Sequence, residues 1–167
     1  MLRRVQEEVD AVLAGRPVGY ADLAELRYTG RALAETLRLS NTTPILSRRP
    51  REDVTLGGLP LRAGTELMIS IAALHRDGTR YPDPLRFDPD RWADDRHHNP
   101  RNTDYLPFGA GPRACVGGDF AWLSMLTLIA TITSRWHLTP DPDHRVRVKQ
   151  SVVPRPDRLP MTAHPRR

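Results

Sequence analysis

Between Gly78 and Gly118 the sequence shows neither a helical nor an alternating apolar pattern, although segments on both sides do. Prolines at 82, 84, 89, 100, 107 and 112 punctuate the run. Each lacks the N–H that a helix or sheet would use. A structureless stretch of this length inside a compact domain is uncommon, because its backbone polar groups must still find partners. The chain has 167 residues, enough for one domain, with 16 prolines and a composition that permits a core.

The run ends in Phe108-Gly109-Ala110-Gly111-Pro112-Arg113-Ala114-Cys115-Val116-Gly117-Gly118, which carries the only cysteine. It is too glycine-rich for a helix or a central strand, and a long apolar segment follows from Phe120. A thiolate persists at neutral pH in an electropositive surround. Arg113 and the N–H groups opening the next helix could supply one. The four glycines remove side chains that would hold a flat ligand or metal away from the backbone. The loop therefore presents one sulfur to something large and planar. A buried, inert cysteine is the commoner fate of a lone thiol, but it explains neither the glycines nor the arginine.

The pattern Phe-x-x-Gly-x-Arg-x-Cys-x-Gly, filled by Phe108, Gly111, Arg113, Cys115 and Gly117, resembles the haem-binding signature of the cytochrome P450 family. The resemblance implies that Cys115 is the thiolate ligand of a haem iron, haem b (iron protoporphyrin IX), and the catalytic centre of a monooxygenase. It implies Phe108, Gly111, Arg113 and Gly117 as cofactor-binding neighbours, with Arg113 against a propionate. It also implies a sulfur turned away from solvent, near a glutamate-bearing helix.

That helix is read at 31–39, where Glu35 and Arg38 are three apart and share one face. Alone they make a surface ion pair worth under about 1 kcal/mol. In sequence position they resemble the family's Glu-x-x-Arg motif, which implies a buried pair joined by a second arginine. The segment Asp83-Pro84-Leu85-Arg86-Phe87-Asp88-Pro89-Asp90-Arg91-Trp92 supplies it, and Arg86 is assigned. One carboxylate and two guanidiniums can pin a loop without secondary structure of its own. With such a network and a large cofactor, the irregular run becomes acceptable.

Elsewhere the chain reads locally. Leu2, Val5, Val9, Val12 and Leu13 recur at helical spacing, with Arg3–Glu7 and Arg4–Glu8 pairs on the outer face and a stop at Gly15 and Pro17. Ala21 to Leu26 reads as a short helix, and Thr29-Gly30 as punctuation before the next. Asn41 to Ile45 breaks that helix, either as a plain loop or, as the resemblance implies, as a wall of the substrate pocket. Val54, Leu56, Leu59, Leu61 and Thr65 to Ser70 predict a small antiparallel sheet turning at Gly57-Gly58. Arg48, ahead of it, resembles a propionate-binding arginine; solvated Arg48, Arg49 and Arg51 are the alternative. His75-Arg76-Asp77 resembles a family tripeptide, and His75 reads as structural. His97-His98 reads as a solvated loop tip, not a zinc site. Phe120 to Trp136 is apolar nearly all round, as a helix buried on several sides would be. Val146, Val148, Val152 and Val153 suggest short closing strands.

The expected fold is mainly α with a small antiparallel β-sheet, matching the C-terminal part of the cytochrome P450 fold. Residues 1–167 form a single incomplete domain: helices at 1–39, sheet at 52–70, meander and cysteine loop at 78–118, buried helix at 119–136, and strands and tail at 140–167. No segment matches the family's acid–threonine helix or its N-terminal propionate ligands. The chain is therefore expected to be a truncated member or one piece of a split one, with the far side of the haem open to water.

The resemblance implies ferredoxin with ferredoxin reductase, or another electron donor, as partner. It also implies a small hydrophobic organic substrate and, for a split enzyme, a complementing N-terminal segment. One cysteine allows no internal disulfide, which fits a reducing compartment, and no N-terminal signal-peptide pattern occurs; the cytoplasm is expected. No run reads as a membrane span. The net charge of +5 raises nucleic acid as a partner. The excess sits mainly in a proline-rich tail without aromatic residues, so neither nucleic acid nor membrane is expected. Two other readings stay open. One is a haem-binding module without monooxygenase activity; the other is an interaction protein that takes up no haem.

Overall fold

The computed structural model describes residues 1–94, 103–149, 151 and 153–166. Helix α1 (Leu2–Leu13) turns Val5, Val9 and Leu13 inward at four-residue spacing. It stops where Ala14 takes a left-handed conformation at φ 47° and Gly15 follows at φ 82°. The Arg3–Glu7 pair forms on the surface at 3.3 Å. The expected Arg4–Glu8 pair does not, because each side chain finds a distant partner. Arg4 makes two hydrogen bonds to Asp90, at 2.7 and 3.0 Å, and lies 3.9 Å over the Tyr28 ring. Glu8 accepts from the N–H groups of Tyr28 and Thr29 and from the Thr29 hydroxyl, at 2.6 to 2.7 Å.

Those two N–H groups are unsatisfied donors at the start of helix α2 (Arg27–Leu39), so a carboxylate from another helix caps it. This is why α2 begins at Arg27 and takes in Thr29 and Gly30, which read from the sequence as a break. The segment before it is a 3-10 helix, Tyr20–Ala24. Helix α2 is buried on more than one side: Leu33 and Leu37 lie along one face, Glu35 and Arg38 along another.

Strand β1 (Ile45–Arg48) pairs antiparallel with β4 (Leu67–Ser70), Leu46 opposite Ile69. Strands β2 (Val54–Leu56) and β3 (Leu59–Leu61) form a separate hairpin. The single expected sheet is thus two ladders, and β1 lies ahead of the segment read as sheet, beginning at the last residue of the expected loop. Helix α3 (Ile71–Leu74) follows β4 directly, with the Ser70 hydroxyl accepting from Ala73 N–H as its cap.

From Thr79 to Gly117 the described residues contain no α-helix and no strand, only 3-10 turns at Pro89–Trp92 and Gly111–Arg113. His97-His98 lie outside the described residues. Helix α4 (Gly118–Arg135) buries Leu126, Ala130 and Thr133 against α1 and α2. It is not buried on several sides as expected: Phe120, Leu128 and Ile132 are exposed. These three, with Ser124 between, recur every four residues and lie along one face. Strand β5 (Trp136–Pro140) leaves α4 without a break and pairs with β8 (Met161–Pro165). Strands β6 (Val148–Lys149) and β7 (Arg155–Pro156) form a small hairpin between them. No helix among the described residues is long and apolar enough to cross a membrane.

Candidate functional site

Glu35 and Arg38 are both completely buried in α2. Arg38 grips the carboxylate with two parallel bonds, Nε and Nη2 each donating at 2.8 Å. Three further donors converge on it: the Asp88 N–H at 2.9 Å, the Arg91 Nε at 3.0 Å and the Trp92 indole at 3.0 Å. Burial alone would raise the Glu35 carboxyl. The bonds from Arg38, from the Asp88 N–H and from Arg91 outweigh it and hold the group below its ordinary value.

The second arginine of this network is Arg91, not Arg86. Arg86 is exposed and contributes its carbonyl oxygen, which accepts from Arg38 at 3.2 Å and from Arg91 at 3.4 Å. Asp88 caps a 3-10 turn with proline in its first turn, and that turn swings Arg91 and Trp92 inward. The cue was present in the sequence, since Asp-Pro-x-Arg-Trp carries a turn cap followed by two side chains able to donate to a carboxylate.

Arg38 also reaches the irregular run. Its Nη1 donates to the His75 carbonyl at 2.6 Å and the Pro84 carbonyl at 2.7 Å. The His75 ring is buried and its Nε2 accepts from the Leu106 N–H at 2.9 Å. It stacks on Tyr105 with centroids 5.4 Å apart, and Tyr105 packs on Trp92 at 4.6 Å. The Tyr105 hydroxyl returns to the Ala34 carbonyl at 3.0 Å. A polar network thus anchors the start of the cysteine loop to α2.

The loop is then closed by its own backbone. Gly109 N–H bonds Leu106 O at 3.2 Å, Cys115 N–H bonds Phe108 O at 2.9 Å, and Gly118 N–H bonds Cys115 O at 3.2 Å. Gly109 and Gly111 are left-handed, at φ 75° and 68°. A Cβ at Gly111 would touch nothing within 4 Å, so conformation rather than space demands that glycine. Gly118 is different: a Cβ there would sit 3.3 Å from Cγ of Phe108. Gly118→Ala is expected to displace that ring and cost about 1 kcal/mol or more in a urea titration. An unchanged midpoint would show that Phe108 moves freely.

Cys115 is exposed, contrary to the expectation of a shielded sulfur. It borders a concavity of about 380 Å³ lined also by Tyr105, Pro107, Phe108, Ala114, Asp119 and Trp122. The physical reason is local: Val116 and Phe120 beside it also face outward, and nothing lies within 4 Å of where a Cβ at Gly111 or Gly117 would stand. Arg113 is exposed two residues before the sulfur. Across the loop, Leu46 Cδ1 lies 3.9 Å from where a Gly109 Cβ would stand. Arg48 shares that face of β1, two residues on, exposed and donating to Ser47 O at 2.8 Å.

The sequence matches the family described as Cytochrome P450 over residues 1–160. The chain belongs to the cytochrome P450 family. It is 38% identical over 164 residues to cyclooctat-9-en-7-ol 5-monooxygenase of Streptomyces melanosporofaciens, covering 98% of this chain and 36% of that protein. Against pentalenene oxygenase of Streptomyces avermitilis the identity is 37%, covering 98% of this chain and 35% of the relative. Carotene epsilon-monooxygenase of Arabidopsis thaliana is 36% identical over 87% of this chain and 28% of its own length. The chain spans about a third of the bacterial relatives it matches.

The family implies a haem iron, and the residues present fit one. No three His, Cys, Asp or Glu side chains gather among the described residues to hold a metal by themselves. An accessible lone thiol suits an iron whose other ligands come from a macrocycle. Val116 and Phe120 give the surround an apolar face, and the open backbone at Gly111 and Gly117 leaves room for a flat ring.

Proposed function

We propose that this chain is the haem-thiolate portion of a cytochrome P450 monooxygenase. In that reading a small hydrophobic substrate receives one oxygen atom from dioxygen, with electrons from a ferredoxin system or another donor, in the cytoplasm. The supporting observation is the cysteine loop, hydrogen-bonded into one conformation and tethered to the buried Glu35 network while its sulfur stays accessible. Haem b, when bound, supplies the dioxygen and electron-transfer chemistry.

The chain's own residues do the rest. Cys115 donates its thiolate to the iron, and Arg113 and Arg48 pair with the propionates. Phe108 backs the loop through its contact with Gly118. Asn41 and Pro44 line a cavity of about 500 Å³ with Val146, Val148 and Leu159, and form part of the substrate wall. The exposed row Phe120–Leu128–Ile132 receives a complementing N-terminal portion of the fold, without which turnover is weak.

Reconstituting the chain with haem should give a thiolate-type Soret band on reduction with carbon monoxide. Cys115→Ser should abolish it. A band that survives the substitution would overturn the ligand assignment, and a thiolate band without oxidation of any added substrate would favour a haem-binding module.

A further inference from the structure

His75 occupies a junction that the proposed chemistry does not use. Its carbonyl is held by Arg38, its ring is stacked on Tyr105, and its Nε2 accepts from the backbone that opens the cysteine loop. An accepting Nε2 in a neutral ring places the proton on Nδ1. That Nδ1 is buried and has no hydrogen-bond partner. A buried donor without a partner is costly. A phenylalanine would fill the same stack without that penalty, so the acceptor at Nε2 is what the imidazole contributes.

That acceptor stands at the head of a chain of backbone bonds. Leu106 N–H bonds His75, Leu106 O receives Gly109 N–H, and Phe108 O receives Cys115 N–H. Removing the first bond frees the entry of a loop whose later residues are tied mainly to each other. We propose that His75 is a positioning residue for the cysteine loop, its imidazole fixing Leu106 and thereby the orientation in which Cys115 presents sulfur. This deepens the haem-thiolate reading and rests on it for the loop's purpose, whereas the positioning itself can be measured without haem.

The test uses the full chain, with His75→Phe keeping the ring and His75→Gln offering an amide oxygen at similar reach. Amide exchange at Leu106 is followed by NMR, and alkylation of Cys115, the only thiol, by iodoacetamide. His75→Phe is expected to speed Leu106 exchange about tenfold, the ratio that corresponds to one lost hydrogen bond, and to change the alkylation rate severalfold. His75→Gln should restore both. Val9→Ala, a core substitution in α1, serves as a control that lowers stability and should leave the alkylation rate alone.

Unchanged Leu106 exchange in a folded phenylalanine variant would overturn the proposal. So would a shift in alkylation that Val9→Ala reproduces. Should the phenylalanine chain not fold, the glutamine chain decides: Leu106 protected and alkylation normal supports the proposal, Leu106 unprotected ends it. Failure of the haem reading looks different, with no thiolate band in the unsubstituted chain while Leu106 still responds to residue 75.

Discussion

Replacing Arg38 with alanine is expected to cost about 4 kcal/mol, a large share of the stability of a domain this size. The side chain makes five hydrogen bonds, two to Glu35 and one each to the carbonyls of His75, Pro84 and Arg86. Removing it strands a buried carboxylate with weaker remaining partners and leaves the His75 and Pro84 carbonyls without their guanidinium donor, while the Arg86 carbonyl keeps Arg91. Arg91→Ala should cost less, because Arg38, Trp92 and the Asp88 N–H still hold the carboxylate. Arg86→Ala should stay within about 0.5 kcal/mol, since its side chain is exposed and only its backbone is used. Urea midpoints of the three variants check the order. Equal losses for Arg86 and Arg91 would contradict a network built on Arg91.

Acidification between about pH 6.5 and 4 is expected to weaken the fold before the carboxylates titrate. Burial pushes the His75 imidazole down to about 4; the backbone of Arg38 opposes this, and the lesser effects of the Arg38 and Arg76 charges push the same way as burial. Tyr105, stacked on the ring, is neutral in this range, and its hydroxyl is raised by burial. The unfolded chain therefore binds a proton at His75 that the folded chain refuses. Stability is fully present above pH 6.5, falls as the pH drops, and flattens near 4. The total is on the order of 3 kcal/mol. His75→Gln should remove that slope while leaving the steeper loss at lower pH, where Glu35, Asp77 and Asp90 take up protons. A glutamine variant with the original slope would show that another group titrates there.

Much of this is legible in the chain because local rules and the fold agree. The apolar spacing of α1, the Glu35–Arg38 pair and the glycine-bounded hairpin need only short-range information. The failures mostly involve partners far apart in sequence. The start of α2 is unreadable because its cap, Glu8, belongs to another helix. Spacing pairs Arg4 with its neighbour Glu8, when Asp90, 86 residues away, is its partner. β1 escapes a local reading because Ile45–Arg48 lacks clear alternation and is defined by pairing with β4. The choice of Arg86 over Arg91 turns on a 3-10 turn whose direction spacing alone does not reveal. The exposed face of α4 is hidden for a different reason, since an all-round apolar helix says nothing about what lies beside it.

The carboxylate of Glu35 gathers Asp88, Arg91 and Trp92 from 53 to 57 positions downstream. Two ladders are made in the interval: β2–β3 is a local hairpin, and β1–β4 pairs residues 19 to 25 apart. The knot at Glu35 closes a far longer loop and so should form after them, near the end of folding. Damage to it then shows up mainly as faster unravelling rather than slower assembly. In a chain of this design, how long the native form lasts is governed by one acidic side chain and the donors that arrive at it last.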